Sequence, residues 1–142
     1  MFFPLKIQKI KDDQYTGTCR LVPEYSASGR SEEEIVRHAA VSLTSCLELH
    51  YRRQKLCLPI PDGSLKEGEV KIPLPLKLQL MIILWNELAA RKMTISDLAR
   101  MLAVTPSQAL RFVDLNRAQG STDTLEQVLG RFGIQVTAVT ER

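Results

Sequence analysis

Four prolines and two glycines fall within the 17 residues from Pro59 to Pro75. No long helix or strand survives that density, because each proline fixes φ and removes a backbone donor while each glycine loosens the chain. The segment therefore divides the molecule. Before it, apolar residues mostly alternate; from Leu76 onward they recur at helical spacing. The expectation is an α+β protein with residues 1–61 as one domain, 62–75 as a linker and 76–142 as a second, helical domain. Val70 and Ile72 alternate well enough to pair briefly within the linker.

In the first part, Phe3, Leu5 and Ile7 alternate with Pro4, Lys6 and Gln8, which is strand periodicity. Asp12-Asp13-Gln14 is a polar turn, and Tyr15, Gly17, Cys19 and Leu21 then share one face of a second strand. Residues 24–29 fit a short third strand. Ser31 followed by Glu34 makes a capping box, with three acidic residues in the first turn where the helix dipole favours them. Ile35, Val36, Ala39, Ala40, Leu43 and Leu47 carry that helix to about Tyr51, with Arg52, Arg53 and Lys55 at its C-terminal end. Leu56, Leu58 and Ile60 alternate again, predicting a strand that returns to the sheet. The order is β-β-(β)-α-β.

The second part opens with a helix over residues 76–91, Pro75 standing near its start and Leu80, Ile83, Leu84 and Leu88 facing a core. Residues 94–112 then read as two short helices joined by a tight turn. Thr94 with Asp97, and Thr105 with Gln108, are two capping boxes, and Pro106 suits the first position of the second helix. Leu98, Leu102, Ala109 and Phe112 fall on the inward faces, Ala99 is small where the helices must cross, and Ala103 holds the turn. This is the pattern of a helix-turn-helix, whose second helix sets its N-terminal residues against base edges in the major groove. Ser107, Gln108 and Arg111 would be exposed there; glutamine can pair with adenine and arginine with guanine. Thr94, Thr105 and Arg117 are better placed for phosphates. A further helix with Leu125, Val128, Leu129 and Phe132 closes at Gly133. Ile134, Val136 and Ala138 follow in alternation, a terminal strand whose open edge pairing with a second copy would satisfy.

Charge argues against strong binding by one copy alone. Lys and Arg outnumber Asp and Glu by nine to seven in residues 1–61 and by eight to six in 76–142, and trail two to three in 62–75. Two copies reading two half-sites would add their weak fields. Cys19, Cys46 and Cys57 are odd in number and far apart, which fits reduced thiols in a cytoplasmic protein. Neither they nor His38 and His50 show C-x2-C or H-x3-H spacing, so neither a metal site nor a cofactor is expected. The longest apolar run, residues 78–85, is too short for a membrane span.

The order of these elements resembles the HicB antitoxins, in the branch that carries a helix-turn-helix. The resemblance covers nearly all of the chain. It rests on the strand-turn-strand with Tyr15, on Gly29-Arg30-Ser31-Glu32-Glu33-Glu34, on Ile72-Pro73-Leu74, on Leu98-Ala99-Arg100 and on Arg111-Phe112. Ile35 stands where that family usually has alanine, and Ala103 where the turn usually has glycine. The resemblance implies a truncated ribonuclease-H-like first domain that covers the active site of a HicA-type toxin, a small mRNA-cleaving ribonuclease with a double-stranded-RNA-binding fold. It also implies a second domain that represses the operon by binding palindromic operator DNA as a homodimer or dimer of dimers. Catalysis by the first domain is not expected. Ribonuclease-H chemistry needs carboxylates converging on divalent cations, and residues 3–10 contain none. The alternative reading is a stand-alone transcriptional regulator whose first domain senses a small ligand.

Overall fold

The computed structural model describes residues 1–118 and 120–136. These form an α+β protein with one four-stranded antiparallel sheet and five α-helices, and the chain divides into two compact units, Met1–Pro75 and Leu76–Arg142.

In the first unit, β1 (Phe2–Lys11), β2 (Gln14–Cys19), β3 (Val22–Gly29) and β4 (Glu69–Pro73) lie in the order β3-β2-β1-β4. Pro4 sits in an inner strand without breaking the ladder, because β2 pairs with β1 only from Lys6 onward and the missing donor lies beyond its end. The helix α1 (Glu32–Leu47) starts at Ser31, whose hydroxyl accepts the N–H of Glu34 at 3.1 Å. It buries Ile35, Ala39, Leu43 and Leu47 at four-residue spacing over β2, β3 and β4. Burying each of the three large side chains contributes about 1.5–3 kcal/mol.

Ile35 is the tightest point of that layer. A Cβ placed on Gly17 would lie 3.0 Å from its Cγ2, and one on Gly29 would lie 3.0 Å from its Cγ1. The bulk of Ile35 is thus accommodated by two glycines beneath it.

The returning strand is not where the alternation of Leu56, Leu58 and Ile60 suggested. Residues 56–60 lie outside the sheet, and β4 pairs with β1 instead, setting Phe3 opposite Ile72 and Leu5 opposite Val70. The reason is local: Pro59 and Pro61, two apart, remove adjacent donors from the same edge of any strand. The second half of residues 62–75 is consequently sheet. Arg20 holds the loop before it, donating from Nε to Glu69 at 3.0 Å and from Nη2 to the Ser64 carbonyl at 3.2 Å.

Beyond α1, residues Glu48–Arg52 form one π-helical turn. Within it Glu48, 1% exposed, has a carboxylate that accepts from both Arg52 and Arg53. A buried carboxylate without those guanidinium groups would be strongly destabilising. The two arginines at the C-terminal end of the helix therefore grip a buried side chain.

The second unit begins with α2 (Leu76–Ala90), which buries Leu80, Leu84 and Leu88 as expected, together with Leu78, Met81, Ile82 and Trp85; Ile83 is only half-buried. It packs against α5 (Asp123–Arg131) and a 3-10 turn at Leu115–Arg117. Between these run α3 (Ile95–Leu102) and α4 (Pro106–Leu110). α5 ends at Gly133, φ 78, with the N–H of Ile134 donating to the Leu129 carbonyl at 3.1 Å, the bonding of a glycine C-cap. Residues 134–136 carry no strand, and Ala138 lies outside the described residues.

Candidate nucleic-acid interface

The pair α3–α4 is built from its caps. Thr94 accepts the N–H of Asp97 on its hydroxyl at 3.1 Å, and Asp97 accepts the N–H of Thr94 at 2.9 Å. Those hydrogen bonds, with the Arg100 guanidinium beside it, hold the Asp97 carboxyl below its ordinary range. Arg100 donates to the other Asp97 oxygen at 2.7 Å. The last turn of α3 closes on Ala103, which adopts φ 57, ψ 43, and the Val104 N–H reaches back to the Ala99 carbonyl at 3.0 Å. That left-handed residue lets the chain reverse within three residues.

α4 repeats the arrangement. The Gln108 N–H donates to the Thr105 hydroxyl at 3.2 Å, the Thr105 N–H donates to Gln108 Oε1 at 3.0 Å, and Pro106 occupies the first helical position. Leu98, Ala99 and Ala109 are buried where the helices meet, whereas Leu102 and Phe112 are only half-buried. Arg131 of α5 donates to the Met101 carbonyl at 3.1 Å and ties the end of α3 to the last described helix of the unit.

α4 is shorter than its pattern suggested, ending at Leu110, so Arg111 stands at its C-cap. Its backbone is still right-handed, φ −59 and ψ −24. Arg111 therefore remains on the same face as Ser107, four residues earlier, and Gln108, three earlier. All three are exposed, as is Thr105. Arg117 stands apart in the 3-10 turn, exposed and 3.7 Å from Asp114. Thr94 and Thr105 are at helix starts, where each hydroxyl accepts a capping N–H. Ile134 and Val136 are half-buried. Sequence reasoning overlooked Arg131, whose role depends on a contact 30 residues away.

The first unit presents a different surface. Val41 on α1 is 74% exposed and Leu49 on the π turn 51%. Tyr51 donates to Glu24 at 2.7 Å across to β3, and Tyr25 shares a 2.7 Å hydrogen bond with Ser42 of α1. Among the described residues no group of three or more metal-ligating side chains stands together, and no helix is long and apolar enough to cross a membrane.

No family model matches the chain. It is 26% identical over 124 residues to a protein named Antitoxin HicB from Pseudomonas fluorescens (strain Pf0-1), covering 87% of this chain and 84% of that one. A second relative, Antitoxin HicB 2 from Photorhabdus laumondii, is 25% identical over 112 residues, 79% of this chain and 77% of its own. These matches support the HicB antitoxin family. Neither unit, with 75 and 142 − 75 = 67 residues, is long enough to hold 124, so the HicB likeness runs through both.

Proposed function

We propose that the protein is an antitoxin of the helix-turn-helix HicB branch. In this reading the first unit, a truncated ribonuclease-H-like domain, covers the active site of a HicA-type ribonuclease toxin in the cytoplasm. The second binds palindromic operator DNA and represses the operon. The observation that carries the reading is the similarity, through both units, to two proteins named HicB antitoxins. Support comes from the α3–α4 pair, two capped helices around a three-residue turn with Ser107 and Arg111 outward. The exposed Val41 and Leu49 give the first unit apolar surface for a protein partner.

The DNA-bound form in this proposal is a dimer, joined through residues 134–139, because two half-sites demand two copies. The decisive experiment is co-expression with the product of an adjacent short reading frame. Growth arrest by that product, relieved by this protein and accompanied by co-purification, is the expected result; a neighbour that neither arrests growth nor binds overturns the toxin reading. Sedimentation of the intact protein and of a chain ending at Gly133 tests the dimer contact. The shorter chain is expected to dissociate and lose DNA binding, and an unchanged mass would move the contact elsewhere.

A further inference from the structure

We propose that Gln108 is a positioning residue, and that discrimination between DNA sequences rests on Arg111 with Ser107. The proposal depends on the DNA-binding reading of α3–α4 and refines it. By residue type, Gln108 is the obvious reader of adenine: it is exposed, it sits at the third position of α4, and a glutamine amide matches the N6 and N7 edge. That match requires the side-chain oxygen to accept from N6 while the amide nitrogen donates to N7, with the amide extended toward the base. In this protein the oxygen is folded back onto its own helix start, accepting the Thr105 N–H at 3.0 Å. Extending the side chain would strip that N–H of its partner in a helix of only five residues, whose start the two reciprocal bonds define.

Three other polar groups of the pair also have partners within it. The Thr105 hydroxyl accepts from Gln108, the Thr94 hydroxyl from Asp97, and the Arg100 guanidinium is held by Asp97. Only Arg100 and Arg111 carry positive charge between Ile95 and Arg111. The Arg111 side chain makes no hydrogen bond or ion pair with another described residue, and Ser107 lies beside it one turn earlier on the exposed face. The free guanidinium is a planar fork suited to the O6 and N7 acceptors of guanine. The geometry therefore separates two roles that the sequence pattern combines: Gln108 fixes how α4 begins, and Arg111 reads.

The test is selection of a random-sequence DNA duplex library by the full-length protein and by Arg111→Ala, Gln108→Ala and Gln108→Glu. Glutamate keeps the capping bond to Thr105 but has no amide donor for adenine, so it covers the case in which the alanine variant fails to fold. The wild type is expected to enrich one motif. Arg111→Ala should lose roughly ten- to a hundredfold preference at a G·C pair in each half-site. Both Gln108 variants should select the wild-type motif with weaker binding to every duplex, and only Gln108→Ala should lower the melting temperature. A changed A·T preference in Gln108→Glu, or an intact G·C preference in Arg111→Ala, overturns the assignment. A wild-type protein that enriches no motif overturns the DNA-binding reading itself, and the assignment with it.

Discussion

Replacing Gly17 by alanine in the middle of β2 should destabilise the protein, although alanine is the better strand residue. In the unfolded chain the substitution removes freedom, a gain of about 0.5–1 kcal/mol. Gly17 has no positive φ, so the backbone raises no objection. The obstacle is Ile35, buried on α1, whose Cγ2 would stand 3.0 Å from the new Cβ, with both Leu5 methyls already at 3.7 Å. A β-branched side chain in a helix has essentially one χ1 rotamer, so the methyl cannot swing aside and the helix must lift. Overpacking of this kind costs about 1–3 kcal/mol, leaving a net loss of up to about 2.5 kcal/mol, centred near ~1 kcal/mol. Ile35→Ala alone should cost about 2–5 kcal/mol by opening a cavity. In that background the clash is gone, and Gly17→Ala should become neutral or stabilising. Urea unfolding of the four proteins, followed by circular dichroism, measures the cycle. A coupling of at least ~1 kcal/mol is expected. If Gly17→Ala costs the same with and without Ile35, within the ~0.5 kcal/mol of simple additivity, Ile35 is not what keeps that position a glycine.

Ala103→Gly should stabilise the second unit by about 0.5–1 kcal/mol in thermal unfolding, since glycine escapes the roughly 1–2 kcal/mol steric cost of an L-residue held at φ 57, offset in part by the ~0.5–1 kcal/mol of freedom it adds to the unfolded chain. Burial, and then the hydrogen bond donated to Glu24, push the Tyr51 phenol up to about 12. A raised acid holds its proton longer in the folded state, so its stabilisation is complete below pH 10 and disappears between pH 10 and about 12. Absorbance titration should show the highest tyrosine step missing in Tyr51→Phe, and a step unchanged by that substitution would contradict the contact. A fragment of residues 1–75 should fold and bind the toxin, whereas one ending at Pro61 lacks β4 and should be unfolded by circular dichroism; a folded 1–61 fragment would show that the edge strand is dispensable.

Local chemistry made much of this protein legible in advance. The capping boxes at Thr94 and Thr105 appear as the spacing of a hydroxyl and an acceptor three residues on, and both form as read because the partners lie within one helical turn; at Ser31 the hydroxyl caps the helix as read, while the Glu34 carboxylate accepts the N–H of Arg30 instead of that of Ser31. The glycine end of α5 and the alternation of Phe3 with Leu5 are similarly short-range. What needed the tertiary structure is whatever depends on a choice between distant partners. Residues 56–60 and 69–73 both alternate, and although Pro59 and Pro61 weaken the first as a strand, it is the pairing of the second with β1 that settles which one joins the sheet. Ile35 looks like an intrusion until Gly17 and Gly29 are seen beneath it, brought there by the sheet from 18 and 6 residues away in the chain. Gln108 marks the border between the two cases. Its residue type suits both a cap and a base, and the choice belongs to the geometry, in which its oxygen faces the Thr105 N–H at 3.0 Å.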